Sequence, residues 1–210
     1  STSTLTIGDN AQFVSNTAAV SGNGGGGAIY AEAAGYSSTS TLTIGVNAQF
    51  VSNTAAVSEN GIGGAIYAAA TGDSSTSTLT IGDNAQFVSN TAGVSGNGHG
   101  GAIDARATGD SSTSTLTIGV NAQFVRNTAG VSGNGGGGAI CAEASASSST
   151  STLTIGDNAQ FVNNTAAVSG IGNGGALYAF ASGSDLPWTI GDNAQFVNNT
   201  AAVSGEGESQ

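Results

Sequence analysis

Threonine is the residue type whose spacing in this chain could do chemistry. The hexapeptide Thr-Ser-Thr-Leu-Thr-Ile occurs five times, at 2–7, 39–44, 76–81, 113–118 and 150–155. Alternate side chains of a β-strand point to the same side, so Leu and Ile are predicted to face inward and the threonines outward. Stacked copies would form a grid three columns wide and five rows high. The predicted outward residues are Thr2, Thr4, Thr6, Thr39, Thr41, Thr43, Thr76, Thr78, Thr80, Thr113, Thr115, Thr117, Thr150, Thr152 and Thr154.

The spacing of such a grid suggests a surface that orders water. Alternate residues on a strand lie roughly 6.6 to 6.8 Å apart, and stacked strands lie about 4.8 Å apart. Both distances are close to repeats of the ice lattice. Lysine and glutamate are strongly hydrated and mobile and would disturb such a surface, but the hexapeptide contains neither. A flat face of methyl and hydroxyl groups is therefore predicted to bind ice.

Catalysis has little support among the other reactive residue types. The single histidine, His99, lies in a Gly-rich turn and has no partner cysteine or serine dyad. Cys141, the single cysteine, is predicted to occupy an outward position, where a neutral substitution is preferred over a reactive exposed thiol or an intermolecular link. Cleavage of acidic polysaccharides needs clustered basic and acidic residues, and Arg106 and Arg126 are the only cations. We expect no enzymatic activity.

A metal or cofactor site is also not expected. One turn position carries aspartate in four repeats, but Val46 and Val120 occupy it in two others. The nonapeptide calcium-binding repeat is absent. The Gly-rich turns lack the lysine and the helix that a phosphate-binding loop requires. A solvated turn is the better interpretation of the four residues Asp9, Asp83, Asp157 and Asp192.

The elements that must position the threonines form a tandem repeat. The hexapeptides recur every 37 residues, and the last interval, from Ile155 to Ile190, is 35. Near-identical units of this size indicate a solenoid, because each unit buries its apolar face only against its neighbours. Three segments per unit have strand character, illustrated by Thr4–Ile7, Ala11–Val14 and Gly27–Ala31. Residues 1–210 are thus predicted to form a single all-β domain, a parallel β-helix with three strands per 37-residue coil and about six coils.

An alternative arrangement would place two short coils in each repeat. The threonine rows would then be two strand spacings apart, and the grid would be broken. Because the three apolar segments differ in sequence, we prefer one coil per repeat.

Variation among the copies indicates which positions face solvent. In the third segment Ile29, Ala31 and Ala33 have apolar counterparts in every full copy, which predicts a core position for each. The sites occupied by Tyr30 and Glu32 vary freely and are predicted to face outward. The six phenylalanines equivalent to Phe13 are predicted to stack inside, with a bulge or strand end near Val14. The asparagines equivalent to Asn16 are predicted to form an internal ladder at a turn.

Composition limits the partners. A net charge of −11 without any lysine argues against nucleic acid and against an anionic membrane surface. No apolar run approaches the length of a membrane-spanning helix, so membrane insertion is not expected. The chain lacks an initial methionine and a signal peptide, which predicts a mature or trimmed form. Residues 185–210, where Pro187 and Trp188 replace part of the threonine motif, are predicted to be a degenerate capping repeat.

Two paired motifs resemble a known family. Gly-Gly-Ala-Ile (as at Gly26–Ile29) and Phe-x-x-Asn (as at Phe13–Asn16) alternate along the chain. This signature resembles the repeats of chlamydial polymorphic outer membrane proteins and related autotransporter-like passengers. The resemblance implies a right-handed parallel β-helix displayed outside the cell, and it transfers no catalytic residue. The chain differs from those proteins in its near-identical units and its scarcity of charge, and we expect no membrane barrel in it.

The Thr-x-Thr rows are similar to those of β-solenoid antifreeze proteins. This likeness predicts a secreted, monomeric ice-binding protein whose partner is the ice crystal surface and which uses no cofactor. The alternative is an extracellular adhesin or structural passenger-like β-helix that binds a surface partner. In that case the variable third segment would make the contact through Tyr30, Tyr67, Tyr178 and Phe180.

Overall fold

A computed structural model describes residues 1–182 and 185–202 and the backbone of 207–208. These residues form strands and turns only, so the described part of the chain contains no helix that could cross a membrane. Every strand pairs in parallel with its equivalent in the next repeat, as Thr2 does with Thr39. One repeat therefore makes one coil. The predicted parallel β-solenoid is confirmed, and the arrangement with two coils per repeat is excluded by this pairing.

Five strands recur in each of the first five coils, and four in the sixth. Coils one and two contain β1 Thr2–Ile7, β2 Gln12–Val14, β3 Thr17–Ala19, β4 Gly24–Gly25, β5 Ile29–Ala33, β6 Thr39–Ile44, β7 Gln49–Val51, β8 Thr54–Ala56, β9 Gly61–Ile62 and β10 Ile66–Ala70. Coils three and four contain β11 Thr76–Ile81, β12 Gln86–Val88, β13 Thr91–Gly93, β14 Gly98–His99, β15 Ile103–Ala107, β16 Thr113–Ile118, β17 Gln123–Val125, β18 Thr128–Gly130, β19 Gly135–Gly136 and β20 Ile140–Ala144. Coils five and six contain β21 Thr150–Ile155, β22 Gln160–Val162, β23 Thr165–Ala167, β24 Gly172–Asn173, β25 Leu177–Ala181, β26 Trp188–Ile190, β27 Gln195–Val197, β28 Thr200–Ala202 and β29 Gly207–Glu208.

These strands stack into five parallel sheets, which we name after their first members. The β1, β2, β3 and β4 sheets have six strands each, and the β5 sheet has five. The three predicted segments correspond to the β1, β2 and β5 sheets. Two further short strands, in the β3 and β4 sheets, lie in what the sequence suggested was a long Gly-rich turn.

The backbone turns sharply after each strand of the β2 sheet, as predicted near Val14. Ser15 has a φ of 56°, and its equivalents adopt the same left-handed conformation, even where the residue is Arg126. A positive φ reverses the strand direction locally and exposes the side chain at that position. For this reason Phe13 can face inward while the residue two positions later faces solvent.

The core is built from columns of identical side chains. The phenylalanine rings equivalent to Phe13 stack with centroids 4.8 Å apart and planes inclined by only 2° to 4°. Phe50, Phe87, Phe124 and Phe161 are fully buried together with the inward Leu and Ile residues of the β1 sheet in coils two to five. The predicted phenylalanine stack is confirmed. Its small ring inclination means that successive coils are related by translation with almost no rotation.

Asparagine side chains connect the coils next to this stack. Asn90 Nδ2 donates to Phe50 O at 2.9 Å and to Asn127 Oδ1 at 3.0 Å, and the Asn90 backbone amide donates to the same Oδ1 at 3.0 Å. The pattern repeats from Asn16 to Asn199. Four of these asparagines are fully buried, so hydrogen bonds to the next coil replace those to water. The predicted internal ladder is confirmed.

The prediction that the variable sites of the third segment face solvent is wrong for the middle coils. Tyr67 is 5% exposed, and Asp104 and Cys141 are fully buried. The β4 sheet folds back over this face. A Cβ placed on Gly25 would lie 2.8 Å from the Tyr30 ring, and one on Gly136 would lie 3.0 Å from the Tyr178 ring. Near the two ends the cover is incomplete, and Tyr30 and Phe180 remain exposed.

The predicted capping repeat at 185–210 lies partly outside the described residues, and its role as a cap stays a prediction. Its described part continues the solenoid. The amide of Leu153 donates to Pro187 O at 3.1 Å, and Leu153, Thr154 and Ile155 pair with Trp188, Thr189 and Ile190.

Candidate functional site: the threonine sheet

We call the outer side of the β1 sheet, formed by the fifteen threonines at 2–6, 39–43, 76–80, 113–117 and 150–154, the threonine face. The pairing joins Thr4 to Thr41, Thr41 to Thr78, and so on in each column without a shift. In coils two to five the threonines are partly exposed, whereas Leu, Ile and the intervening Ser are buried. The predicted alternation is therefore present, and the register brings all fifteen side chains together on one surface.

The face is flat because the coils hardly rotate. Neighbouring rows are one coil apart, and the phenylalanine stack measures this step as 4.8 Å. Along a row the threonines are separated by two residues, or about 6.7 Å. The grid is thus about 19 Å by 13 Å between its outermost positions. Thr189 pairs with Thr154 and extends one column into a sixth row. The Thr189–Ile190 remnant in the sequence could have revealed this additional threonine.

No charged residue lies within the five threonine strands. At the edge of the face Asp185 pairs with Thr150. The acidic residues in the turn that follows the threonine strands are used by the backbone. Asp9 Oδ1 accepts from the Val46 amide at 3.0 Å, and Asp83 Oδ1 accepts from the Val120 amide at 2.9 Å. Each aspartate therefore stabilises the turn of the next coil. The residue at the equivalent position of that coil contributes only its backbone amide, which explains why valine is tolerated there. Among the described residues no group of three or more His, Cys, Asp or Glu could hold a metal ion.

A second group of polar residues was missed by the sequence analysis. The coil register sets Asp104 beside Cys141 and Arg106 beside Glu143. Asp104 and Cys141 are fully buried, whereas Arg106 and Glu143 are partly exposed. Arg106 Nε and Nη2 donate to the two carboxylate oxygens of Asp104 at 2.5 and 2.7 Å, and Nη1 lies 3.3 Å from Glu143 Oε2. Residues 37 apart become neighbours only after the coil period is applied to the sequence. That step would have revealed the group.

Protonation in this group follows from burial. Burial raises the pKa of the Cys141 thiol, and the nearby Asp104 carboxylate raises it further. Burial lowers the pKa of His99, which the surrounding carboxylates only partly offset. The Arg106 guanidinium is desolvated, but Asp104 and Glu143 raise its pKa and keep it charged. Because Cys141 is fully buried, the prediction that it occupies an outward position is wrong. Its thiol is protonated at neutral pH, so the group has no activated nucleophile.

The geometry defines a class of protein, a parallel β-solenoid with one flat hydroxyl-bearing face. The family model of the Chlamydia polymorphic membrane protein repeat matches residues 10–32. This segment contains one Phe-x-x-Asn and one Gly-Gly-Ala-Ile motif, so the predicted resemblance is confirmed there. No curated protein and no solved structure matches the chain.

Both motifs of the matched segment have structural roles that recur along the solenoid. Phe13 and Asn16 begin the phenylalanine stack and the asparagine ladder. Gly26 has a φ of 58°, and a side chain there would collide with Ile29 O. The repeat signature therefore specifies the coil and leaves the outer face of the β1 sheet undetermined.

Proposed function

We propose that this chain is an extracellular, adhesin-like or structural β-helix that acts without catalysis and contacts its target through the threonine face. The observation that carries the proposal is the unbroken register of threonine across five coils. The repeat match and the solenoid fold support a surface-exposed protein of this kind. The third-segment face, which the sequence offered as an adhesive surface, is a poorer candidate because the β4 sheet covers its middle.

The test is binding to purified extracellular-matrix proteins and polysaccharides on an array. The double variant Thr78→Tyr, Thr115→Tyr places two bulky rings at the centre of the face. Gln86→Tyr is the matched control, because Gln86 is a partly exposed outward residue of the neighbouring β2 sheet in the same repeat. We expect the wild type and the control to bind at least one array component, and the double variant to bind at least about tenfold more weakly. Binding that survives the double substitution, or no binding by the wild type, would contradict the proposal.

Ice is the second candidate target, and the dimensions of the threonine face favour it. A stable protein interface buries about 800 Å² on each partner, whereas the grid covers roughly 250 Å² between its outermost threonines. A protein partner would have to extend well beyond the threonines. An ice lattice requires a regular spacing of groups, and the threonines repeat at 4.8 Å across the coils and at about 6.7 Å along each strand.

Ice growth in a dilute solution of the protein distinguishes the two targets. If ice is the target, the wild type and Gln86→Tyr shape the crystals and separate the freezing point from the melting point. The Thr78→Tyr, Thr115→Tyr variant should lose both effects while its circular dichroism stays unchanged. Ordinary freezing by the wild type would exclude ice, and activity that persists in the double variant would mean that another surface binds it.

A further inference from the structure

Few side chains hold the β4 sheet where it lies over the β5 sheet. Each strand of the β4 sheet has two residues, of which the first is always glycine and the second faces the β5 sheet, as Gly136 faces the Tyr178 ring. In the first five coils only three strands carry a side chain at this second position, and these are Ile62, His99 and Asn173. His99 is the central member of the three, and histidine is the one type among them that titrates near neutral pH.

The imidazole of His99 packs against the strand of the next coil. A Cβ placed on Gly136 would lie 3.0 Å from His99 Nδ1 and 3.0 Å from the Tyr178 ring, so the imidazole uses space that only a glycine leaves open. The strand β19 consists of Gly135 and Gly136 and brings no side chain of its own. His99 therefore fills the space beneath two strands, and we call these two strands the β14–β19 lid. Cys141, in coil four, is fully buried.

Nδ1 is the atom through which pH acts on this packing. It is buried and has no hydrogen-bond partner among the described residues. A neutral imidazole with its hydrogen on Nε2 fits this position, because Nδ1 then has no proton to donate. A protonated imidazole carries a hydrogen on both nitrogens, and the hydrogen on Nδ1 would lie against Gly136 without an acceptor. Protonation of His99 therefore disfavours the closed lid.

The charged groups that face His99 do not remove this cost. They are Asp104 and Arg106 of β15 and Glu143 of β20. Arg106 donates to both carboxylate oxygens of Asp104, and its Nη1 lies 3.3 Å from Glu143 Oε2, so both carboxylates already have a cation. Burial therefore lowers the pKa of His99, although the two carboxylates act to raise it. Two titratable side chains that are uncharged near neutral pH complete the surroundings, Cys141 and Tyr178.

We propose that protonation of His99 opens the β14–β19 lid and admits water and small solutes to the Cys141 thiol and to Asp104. The lid is suited to local opening, because its two strands have two residues each and contribute one side chain between them. In the open form His99 is hydrated, and its pKa returns to the ordinary value of 6.5. Opening is therefore independent of pH above 6.5 and becomes more favourable as the pH falls below 6.5 towards the lowered pKa of the closed form.

The reactivity of Cys141 measures the opening, because it is the only cysteine and is fully buried under the closed lid. The native protein is mixed with excess dithiodipyridine, from which a thiol displaces one thiopyridone and forms a mixed disulfide. The reaction is followed at about pH 7.5 and about pH 5.5, on either side of the ordinary histidine pKa. Dividing each rate by that of the urea-unfolded chain at the same pH removes the pH dependence of the thiol itself. We expect the normalised rate to rise about three- to tenfold at the lower pH, since one proton changes an equilibrium by at most about tenfold per pH unit.

The repeat itself supplies matched replacements for His99. His99→Ile introduces the residue type that Ile62 has in the same column, and His99→Gly introduces that of Gly136. His99→Ile keeps both carboxylates but takes up no proton at this position, so its normalised rate should be low and equal at the two pH values. His99→Gly removes the side chain that fills the space beneath the lid. Its rate should be about tenfold above that of the wild type near neutral pH and should not change with pH.

Hydrogen exchange of the wild type makes the test independent of how the variants fold. The amides of Gly98 and Gly100 donate to carbonyls of the next coil. After correction for the intrinsic exchange rate, both should exchange faster at the lower pH, whereas the amide of Leu79 in the β1 sheet should not. The proposal fails if the normalised thiol rate of the wild type is equal at the two pH values or if His99→Ile shows the same rise. It also fails if Leu79 exchange accelerates to the same extent, because the whole solenoid would then be unfolding.

Discussion

At the scale of single residues, the buried charges under the β4 sheet have the largest consequences. Asp104 is fully buried, and Arg106 supplies its bidentate partner while also reaching Glu143 in the next coil. A buried ion pair adds little net stability compared with apolar residues, but removing one partner leaves an uncompensated charge. The two arginines of this chain are therefore not equivalent, since Arg126 is exposed at a turn.

We predict that Arg106→Leu lowers the free energy of unfolding by about 3 kcal/mol or more, because the Asp104 carboxylate loses its partner in a dry environment. Arg126→Leu is the control and should change it by less than about 0.5 kcal/mol. Urea unfolding followed by circular dichroism measures both. Equal effects of the two substitutions would mean that water reaches Asp104.

At the scale of elements, the asparagine ladder holds the turn between the β2 and β3 sheets. Each buried Asn side chain bonds to the asparagine of the following coil and to the phenylalanine carbonyl of the preceding coil. The ladder thereby ties three successive coils at one corner. Such ties oppose rotation of one coil on the next. A rotation of this kind would twist the threonine face. The residues that form the ladder lie far from the face in sequence but control its shape.

Asn90→Ala is expected to destabilise the protein by about 3 kcal/mol, because it leaves the Phe50 carbonyl and the Asn53 amide buried without partners. Asn97→Ala is the matched control. The Asn97 side chain also accepts from an amide one coil away, at Asn134, but it is exposed, so water can replace it at a cost below about 1 kcal/mol. Thermal and urea unfolding of the two variants give the comparison. If both substitutions lower the free energy of unfolding by the same amount, burial does not determine how much the ladder stabilises the protein.

At the scale of the whole molecule, each coil contacts mainly the coils directly above and below it. Stability is then a sum of coil terms and interface terms, and a terminal coil has one interface fewer. The side chains reflect this difference. Phe87 and Phe124 are fully buried in the middle of the stack, whereas Phe196 at one end is 48% exposed.

Hydrogen exchange should therefore be slowest in the middle of the solenoid and faster towards both ends. We expect the amides of β12 and β17 to exchange roughly 100-fold or more slowly than those of β2 and β27, because opening the middle requires terminal coils to separate first. Mass spectrometry or NMR of the native protein measures the gradient. Uniform protection along the chain would instead indicate a single cooperative unit.

The amino-acid sequence by itself determined the features that depend on periodicity. The 37-residue interval predicted a solenoid, and the differences among the three apolar segments predicted one coil per repeat. The alternation of Thr with Leu and Ile predicted which side of the β1 sheet faces out, and the recurring Phe13 and Asn16 predicted the stack and the ladder. These inferences succeeded because a solenoid converts a sequence period into contacts between identical residues, so that local patterns and neighbouring coils impose the same arrangement.

Only the tertiary structure decided what covers each face. The sequence marked Tyr67, Asp104 and Cys141 as variable and therefore exposed, yet the β4 sheet buries them. That cover depends on the left-handed turn at Ser15 and on Gly24, whose missing side chain lets the backbone approach Ala55 O. Sequence variation at a position shows that substitutions are tolerated there. Whether that position is exposed depends on which later strand of the coil packs over it, and only the folded structure determines that packing.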